Sequence, residues 1–277
     1  MLDYKIIERS IITKFRKSLW RPFMKAVRDY ALVEENDKIA VCISGGKDSM
    51  LLAKCMQELK AHGNVEFDLV FIVMDPGYTE EVVAKIEENA AQLHIPITIF
   101  TTDVFSVSEK LNASAPCYLC ARMRRGCLYQ KAKELGCNKI ALGHHFDDVI
   151  ETILLSVLYG GEFKSMPPKL RSRNFEGMEL IRPLYLVRES DIISFSHYHQ
   201  LSFINCACKF TKKIEEDGTK SKRLQIKKLI QSLKEENPLV EYNIFASSQN
   251  VSIDTLLGYK TKDQKYSFLD CYDKSSE

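Results

Sequence analysis

Four short apolar runs, each followed by a segment with helical spacing, constrain the fold of this chain most strongly. The runs are rich in β-branched residues and occupy positions 38–44, 67–74, 96–101 and 138–142. A continuous apolar run of this length is typical of a strand that is buried on both faces. Strands that alternate with helices form parallel sheets with right-handed crossovers. The sequence therefore predicts an α/β fold: a doubly wound, mostly parallel sheet with helices on both faces and a helical C-terminal extension.

Changes in composition divide the 277 residues into three predicted segments. Residues 1–36 are basic and amphipathic, which predicts an N-terminal helical segment. Residues 37–210 hold the predicted sheet, and a run at 178–184 is interpreted as a hairpin arm. Residues 211–277 are charged and helical and then polar, so we expect a C-terminal extension.

Nine cysteines are present, and no apolar run approaches the roughly 20 residues of a membrane span. The N-terminus shows no signal-peptide pattern, so we expect a cytoplasmic protein without a membrane partner. In that compartment an odd number of cysteines argues against a disulfide framework and for thiols that bind metal or react.

A glycine-rich run follows the first predicted strand. Two glycines allow the backbone to approach a ligand closely, and the next helix would offer its N-terminal N–H groups to an anion, with Asp48 or Ser49 as its cap. The spacing does not fit a Walker A loop. We interpret the run as a binding loop for nucleotide phosphates, formed by Ser44, Gly45, Gly46, Lys47, Asp48 and Ser49.

Polar residues also follow the other predicted strands. Asp75 follows the second strand, and Gly143 ends the fourth, at the edge where open α/β sheets bind ligands. In "GHHFDD", Asp147 and Asp148 open a helix, where carboxylates serve as caps. Near a triphosphate, Asp147 would also suit Mg²⁺, and Asp148 could instead act on a proton. The adjacent histidines have no assigned role.

Two pairs of cysteines lie about ninety residues apart. Cys117 and Cys120 form C-x-x-C, and Cys206 and Cys208 form C-x-C. Their spacing fits a redox dithiol, a structural zinc site or an iron–sulfur cluster, and it does not choose among these. The remaining thiols are interpreted as structural and are Cys42, Cys55, Cys127, Cys137 and Cys271.

Several long motifs resemble known families. The loop "SGGKDS" resembles the PP-loop of the N-type ATP pyrophosphatases, which have a Rossmann-like sheet. The segment "PCYLCARMRRGCLYQKAKELGCNKIALGHHFDDVIETILLSVLYGGEFKSMPPKL", with "VCISGGKDS" and "IRPLYLVRESDI", closely resembles the tRNA 2-thiocytidine synthetase (TtcA) family. The match covers roughly residues 10–252. It implies that residues 37–210 are a PP-loop ATP pyrophosphatase domain, with Asp75 near the adenosine.

The resemblance also implies a reaction. ATP would adenylate C2 of a pyrimidine in tRNA, at cytidine 32, and sulfur would then replace the C2 oxygen. Cys117, Cys120 and Cys206 would hold a 4Fe-4S cluster whose fourth iron carries the sulfur. Related thiolases have a catalytic lysine where this chain has Arg124, and arginine can stabilise an anion but cannot act as a base.

The implied partners are tRNA, a sulfur donor such as a cysteine desulfurase, and a second copy of the chain in a homodimer. Four basic clusters on a chain of net charge +2 are consistent with a polyanion partner. The candidate tRNA-binding residues are Arg122, Arg125, Lys14, Arg16, Lys17 and Arg21.

Alternatives remain open at this point. The family has C-x-x-C in the region of its third cysteine, whereas Asn205 here precedes C-x-C, and Cys208 could substitute for Cys206 or close the cluster with a fourth thiolate. The chain could also be a 2-thiouridine-type thiolase, although those enzymes commonly carry terminal zinc fingers. A zinc-stabilised nucleotide-binding module without catalysis is the third interpretation. An amidotransferase-type synthetase would need a glutaminase segment, which is not evident.

Overall fold

A six-stranded sheet forms the centre of the protein. The computed structural model describes the backbone of residues 3–105, 116–204 and 222–272, and the side chains of these ranges except 116–121 and 271. The sheet consists of β1 (Lys38–Ile43), β2 (Asp68–Asp75), β3 (Ile97–Thr101), β4 (Lys139–Ala141), β5 (Lys169–Arg171) and β6 (Glu179–Ile181). Its order is β3-β2-β1-β4-β6-β5, and only β5 is antiparallel to its neighbour. The predicted mostly parallel sheet is confirmed.

Helices precede, connect and follow these strands. Those up to the end of the sheet region are α1 (Tyr4–Ile12), α2 (Arg21–Asp29), α3 (Lys47–His62), α4 (Glu80–Gln92), α5 (Pro116–Glu134), α6 (Phe146–Gly160) and α7 (Glu189–Tyr198), with a π-helical turn at Arg16–Trp20. Beyond the sheet lie α8 (Lys222–Glu236), α9 (Val240–Ser247), a 3-10 turn (Ile253–Thr255), the hairpin strands β7 (Gly258–Lys260) and β8 (Lys265–Ser267), and α10 (Leu269–Tyr272). In the described ranges, no helix combines the length and apolarity that crossing a membrane requires.

Alternate residues of each strand face two different cores. Val41 of β1 packs into the larger core, together with apolar residues of α3, α4 and α6. Ala40 and Cys42 face the opposite side and pack against Tyr129 and Ala132 of α5. This period-two alternation confirms helices on both faces of the sheet.

The predicted hairpin arm is also part of the main sheet. Strand β6 pairs with β5 as the antiparallel half of a hairpin, with Leu180 opposite Leu170. It also pairs in parallel with β4, where Leu180 is opposite Ile140. The arm therefore extends the main sheet and places the residue after β6 at the same edge as the residues after β4.

The chain reverses its winding direction between β1 and β4. These strands are parallel neighbours, but β1 leads on to β2 on one side and β4 leads on to β6 on the other. The loops that leave their carboxyl ends diverge, and such a point is where open α/β sheets bind ligands.

The N-terminal helices pack on the larger core. Ile11 and Phe23 are fully buried there. The buried Lys54 of α3 forms an ion pair with Glu8 of α1 and donates to the carbonyl oxygen of Leu93 at 2.8 Å. The proposed boundary near residue 36 remains a prediction.

The buried Lys139, at the start of β4, forms ion pairs with the segment that leads into β1. The ammonium of Lys139 lies 2.6 Å from Asp37 Oδ2 and 2.7 Å from Glu34 Oε2. Both Lys139 and Asp37 are almost fully buried. The neighbouring Lys139 and Lys169 donate hydrogen bonds to Glu34 and hold the pKa of that carboxyl at about 2.

We expect Lys139→Met to lower the free energy of unfolding by about 3–5 kcal/mol, because it leaves the Asp37 charge buried without its partner. The control is Lys60→Met, which removes an exposed pair with Asp68 and should cost less than about 1 kcal/mol. Urea unfolding measures both. Equal losses in the two variants would contradict the assignment of Lys139 as the organising charge.

Candidate active site

The glycine-rich loop is held in a fixed shape by its own hydroxyl groups. Ser49 accepts a hydrogen bond from the N–H of Ser44 at 3.1 Å and donates one to the carbonyl of Gly46 at 2.9 Å. Gly45 has a φ of +82°, and a Cβ there would lie 2.7 Å from Ile86 Cγ1. Only glycine satisfies both conditions.

Helix α3 begins directly after the loop. Gly46 is the N-cap and no side chain caps this end, so the prediction that Asp48 or Ser49 is the cap is wrong. Both lie inside the first turn, because the helix starts at Lys47. The free N–H groups of this turn, with the positive end of the helix dipole, form an anion-binding site.

Gly143 brings the loop after β4 against the same turn. A Cβ on Gly143 would lie 3.1 Å from the carbonyl carbon of Asp48 and from the backbone nitrogen of Ser49. Such a Cβ would be tighter than most real Cβ contacts, so glycine favours this close approach, which places the start of α6 beside the start of α3.

A cavity of about 410 Å³ opens at the carboxyl ends of β1 and β4. One wall is apolar and is formed by Cys42, Ile43, Met74, Leu128 and Leu142. The remaining lining is polar or charged and consists of Ser44, Asp48, Ser49, Arg124, Arg125, Gly143, His144, Asp148 and Arg223. Seven of these polar residues were predicted as site residues from the sequence, and only His144 and Arg223 were not.

Arg223 lines the cavity, although it was not predicted as a site residue from the sequence. Its Nη2 donates to Asp148 Oδ1 at 2.8 Å and its Nε to Glu151 Oε2 at 2.6 Å. Burial opposes its charge, but the two carboxylates outweigh burial and raise the pKa of Arg223. The basic run "KSKRLQIKK" was visible, but its position opposite α6 depends on tertiary packing.

The two aspartates of "GHHFDD" have different partners. Asp148 Oδ2 accepts the N–H of His145 at 3.1 Å, as expected of a cap, while Oδ1 binds Arg223. Asp147 Oδ2 accepts the N–H of Glu189 at 2.7 Å, at the N-terminus of α7. Asp148 therefore faces the cavity, whereas Asp147 joins α6 to α7.

Lys47 lies on the other side of the loop. With Gly46 it lines a second cavity of about 340 Å³ beside α7. Its ammonium is 3.1 Å from Glu189 Oε1 and 3.1 Å from Asp48 Oδ1. Burial opposes the charge, but these carboxylates raise the pKa of Lys47. Burial also raises the pKa of Asp48.

His144 is a neutral side chain among cations. Burial, with Arg182 and other arginines nearby, lowers its pKa to about 4. Its Nδ1 is buried and has no hydrogen-bond partner among the described residues. At neutral pH this imidazole offers one donor and one acceptor.

Asp75 closes a turn at the end of β2. Its Oδ1 accepts the N–H groups of Gly77 at 2.8 Å and Tyr78 at 2.6 Å. The preceding residue, Met74, lines the cavity, and Asp75 is not among the described lining residues. Arg124 reaches toward this turn, with Nη2 3.5 Å from Tyr78 Oη.

Described residues next to both cysteine segments lie near the phosphate loop or the cavity. Cys117 and Cys120 lie near the N-terminus of α5, but their side chains are outside the described residues, as are Cys206 and Cys208 entirely. Arg124, one turn after Cys120, lines the cavity. The N–H of Ile204, two residues before Cys206, donates to the carbonyl of Gly45 at 3.3 Å.

The other cysteines agree with their structural interpretation where they are described. Cys42, Cys55 and Cys137 are buried, and burial raises the pKa of each thiol. Cys127 is half-buried, and the side chain of Cys271 lies outside the description. Among the described side chains, no three His, Cys, Asp or Glu residues form a metal-binding group.

The candidate tRNA-binding residues lie in two places. Arg125 lines the cavity, and Arg122 is exposed on the same helix. The N-terminal group is exposed and absent from the described cavity lining, and it comprises Lys14, Arg16, Lys17 and Arg21. The Lys14 ammonium lies 3.5 Å from the ring centre of Tyr198 on α7.

Comparison with known proteins agrees with this geometry. A PP-loop domain profile (ATP_bind_3) matches residues 13–215. The chain is 39% identical over 252 residues to the tRNA-cytidine(32) 2-sulfurtransferase of Alcanivorax borkumensis, covering 88% of this chain and 84% of that one. It is 38% identical to the Coxiella burnetii protein of the same name, covering 89% and 94%.

Among solved structures, the U34-tRNA thiolase NcsA from Methanococcus maripaludis, solved with its 4Fe-4S cluster, superposes with a TM-score of 0.66. The identity is 20%, and the match covers 83% of this chain and 77% of that one, which shows a shared fold. With the phosphate loop, the cavity and the relatives in agreement, the chain belongs to the PP-loop family of tRNA-cytidine(32) 2-sulfurtransferases.

Proposed function

We propose that this chain is an ATP-dependent tRNA sulfurtransferase that replaces the C2 oxygen of cytidine 32 with sulfur. The family supports the substrate and the reaction. The observation that carries the proposal is the hydrogen bond from the Ile204 N–H to the Gly45 carbonyl, at 3.3 Å. It holds Ile204, two residues before Cys206 in the sequence, on the phosphate loop, which supports a single site for activation by ATP and for the thiol chemistry.

ATP binds where the loop and the apolar wall meet. The N–H groups at the start of α3 receive the phosphates, and Ser44 and Gly143 complete that side of the cavity. Met74, Leu128 and Leu142 offer a flat apolar surface for the adenine ring. Lys47, now held by Glu189 and Asp48, is placed to exchange these carboxylates for phosphate oxygens.

The reaction begins with attack by the C2 oxygen of the base on the α-phosphorus. A C–O–P linkage forms, and pyrophosphate leaves. Hydrosulfide, supplied by the sulfur donor, then attacks C2 with its electron pair. The C2–O bond breaks, the oxygen leaves with AMP, and Asp148 takes up the proton lost from sulfur. Arg124 and Arg223 place permanent positive charges in the cavity, where negative charge develops on the phosphate oxygens.

Asp148 is the carboxylate that we assign to proton transfer during sulfur attack. It lines the cavity, where Asp48 is the other described carboxylate. The N–H of His145 and the guanidinium of Arg223 hold its two oxygens in place. Its second role is to orient Arg223 toward the reacting phosphate.

Cys117, Cys120 and Cys206 are the proposed ligands of a 4Fe-4S cluster. Thiolates are the ligands that iron–sulfur clusters require. The donor set suits a cluster, because α5 carries two thiols near its N-terminus and Ile204, two residues before the third in the sequence, is hydrogen-bonded to the phosphate loop. The cluster, when bound, supplies a site that takes up sulfur and delivers it to the activated base.

Magnesium is proposed to arrive with ATP. Mg²⁺ in nucleotide sites keeps several waters and uses one or two carboxylates together with phosphate oxygens. The described side chains contain no complete metal-binding group, and one oxygen of Asp147 already binds the N-terminus of α7. Asp147 would therefore contribute at most its other oxygen.

The proposed partners follow from the chemistry. Arg122 and Arg125 flank the cavity and would contact phosphates beside the reacting base, and the N-terminal cations would hold the tRNA backbone farther away. A sulfur donor such as a cysteine desulfurase must reload the site after each turnover. We further propose a cytoplasmic protein that pairs as a homodimer.

Mass spectrometry of tRNA nucleosides tests the function. A strain without this gene should lose 2-thiocytidine selectively, and the wild-type gene should restore it. Loss of a different thionucleoside would show that the enzyme modifies a different base. No change in any thionucleoside would contradict the proposed function.

Cys117→Ser should abolish iron and acid-labile sulfide in anaerobically purified protein, because it removes one thiolate ligand. Cys127→Ser is the matched control on the same helix and should retain both, since its half-buried thiol is not a proposed ligand. Stoichiometric zinc without iron in the wild type would contradict the cluster.

Gly143→Ala should weaken ATP binding about tenfold or more, because its Cβ would press on the backbone at the start of α3 and widen the loop. Gly126→Ala, where a Cβ meets open space, should bind ATP as the wild type does. Isothermal titration measures both, and unchanged affinity in Gly143→Ala would show that this contact does not shape the nucleotide site.

A further inference from the structure

Exposed apolar side chains gather at the end of α6. Leu158 is 54% exposed, Tyr159 45% and Phe163 52%. Leu224, on the neighbouring helix α8, is 46% exposed. Three of these exposed residues, Leu158, Tyr159 and Phe163, lie within six positions of the chain, and grouped exposed apolar residues mark a binding surface more often than single ones do.

Helix α8 orients one of these rings and adds a charge beside it. Tyr159 Oη donates to Gln225 Oε1 at 2.8 Å. The Lys222 ammonium lies 5.0 Å from the ring centre of Tyr159, in cation–π range. The ring is therefore fixed at the surface with an ammonium group beside it.

The same helix reaches the cavity. Arg223, next to Lys222, binds Asp148 at the cavity. From Asp148 to Tyr159 the chain runs eleven residues along α6, or about 16 Å. The exposed rings and the reacting site are therefore a few nucleotides apart along one continuous helix pair.

The positive charge of this surface favours an anionic partner. The first seven residues of α8, "KRLQIKK", contain four cations and no carboxylate. Lys222 and Lys228 are exposed. Flat aromatic rings interleaved with lysines are the chemistry that binds single-stranded nucleic acid, through base stacking and phosphate contacts.

We propose that the α6–α8 surface, formed by Leu158, Tyr159, Phe163 and Lys222, binds the single-stranded loop of the RNA substrate. Tyr159 and Phe163 stack nucleotides that flank the modified base, and Lys222 contacts their phosphates. A base that enters the cavity leaves its stack, and the rings replace the stacking that its neighbours lose. This inference rests on the proposed function.

Binding of a labelled anticodon stem-loop RNA, by fluorescence anisotropy, tests the surface. Tyr159→Leu keeps the apolar bulk but lacks the ring, and it should weaken binding about tenfold. Tyr159→Phe keeps the ring and should restore affinity to within about twofold of the wild type. Both variants should unfold at the same temperature as the wild type, since the residue is exposed.

The contribution of the lysine charge to RNA binding is tested separately. Lys222→Gln should lower the slope of log K against log salt by about 0.7–1, the value of one lost phosphate contact. Arg171→Gln, a highly exposed cation on the edge strand β5, is the matched control and should leave the slope unchanged.

Equal RNA affinity of wild type and Tyr159→Leu would overturn the inference while leaving the proposed function intact. A change of sedimenting mass in Tyr159→Leu with unchanged RNA affinity would also overturn it, because the surface would then join two copies of the chain. A wild type that binds no stem-loop RNA would contradict the proposed function itself.

Discussion

The contact between Gly143 and the first turn of α3 determines the geometry of the whole site. The reversal between β1 and β4 creates a crevice, but the width of that crevice depends on how closely the loop after β4 approaches the phosphate loop. A Cβ on Gly143 would lie 3.1 Å from backbone atoms of Asp48 and Ser49, so the absence of a side chain lets the two backbones approach closely. Asp148, on α6, then lies in the same cavity as the N–H groups of α3. Arg223 depends in turn on Asp148 for its position.

Positive charge is concentrated at the cavity, although the net charge of the whole chain is small. The chain has a net charge of +2, yet Arg124, Arg125 and Arg223 all line one cavity. Burial, with Arg182 and more weakly Arg223 and Arg125, lowers the pKa of the nearby His144 to about 4 and favours the neutral imidazole. The site thus combines fixed positive charges for phosphate with a neutral side chain that can both donate and accept. Such a combination suits a nucleotide and a base at the same place.

Features that depend on adjacent residues could be predicted from the sequence, whereas features that depend on tertiary packing could not. The strands, the phosphate loop and Asp148 were identified because apolar runs, glycines and helix-opening carboxylates are encoded within a few adjacent residues. Arg223 is 75 residues from Asp148, and no local pattern connects them. For the same reason the hairpin arm was not recognised as strand β6 of the main sheet, since its pairing with β4 joins distant segments. The side chains of the proposed cluster ligands lie outside the described residues, so the resemblance remains their basis.

One carboxylate of α7 connects the phosphate loop with the C-terminal helix. Glu189 binds Lys47 on one side and Lys227 of α8 on the other, and these cations outweigh burial and lower its pKa to about 2. Glu189 is thus a counter-ion shared by the first turn of α3 and by α8. One largely buried carboxylate on α7 therefore connects two helices whose lysines are far apart in the sequence, and it places the C-terminal helix against the side of the phosphate loop.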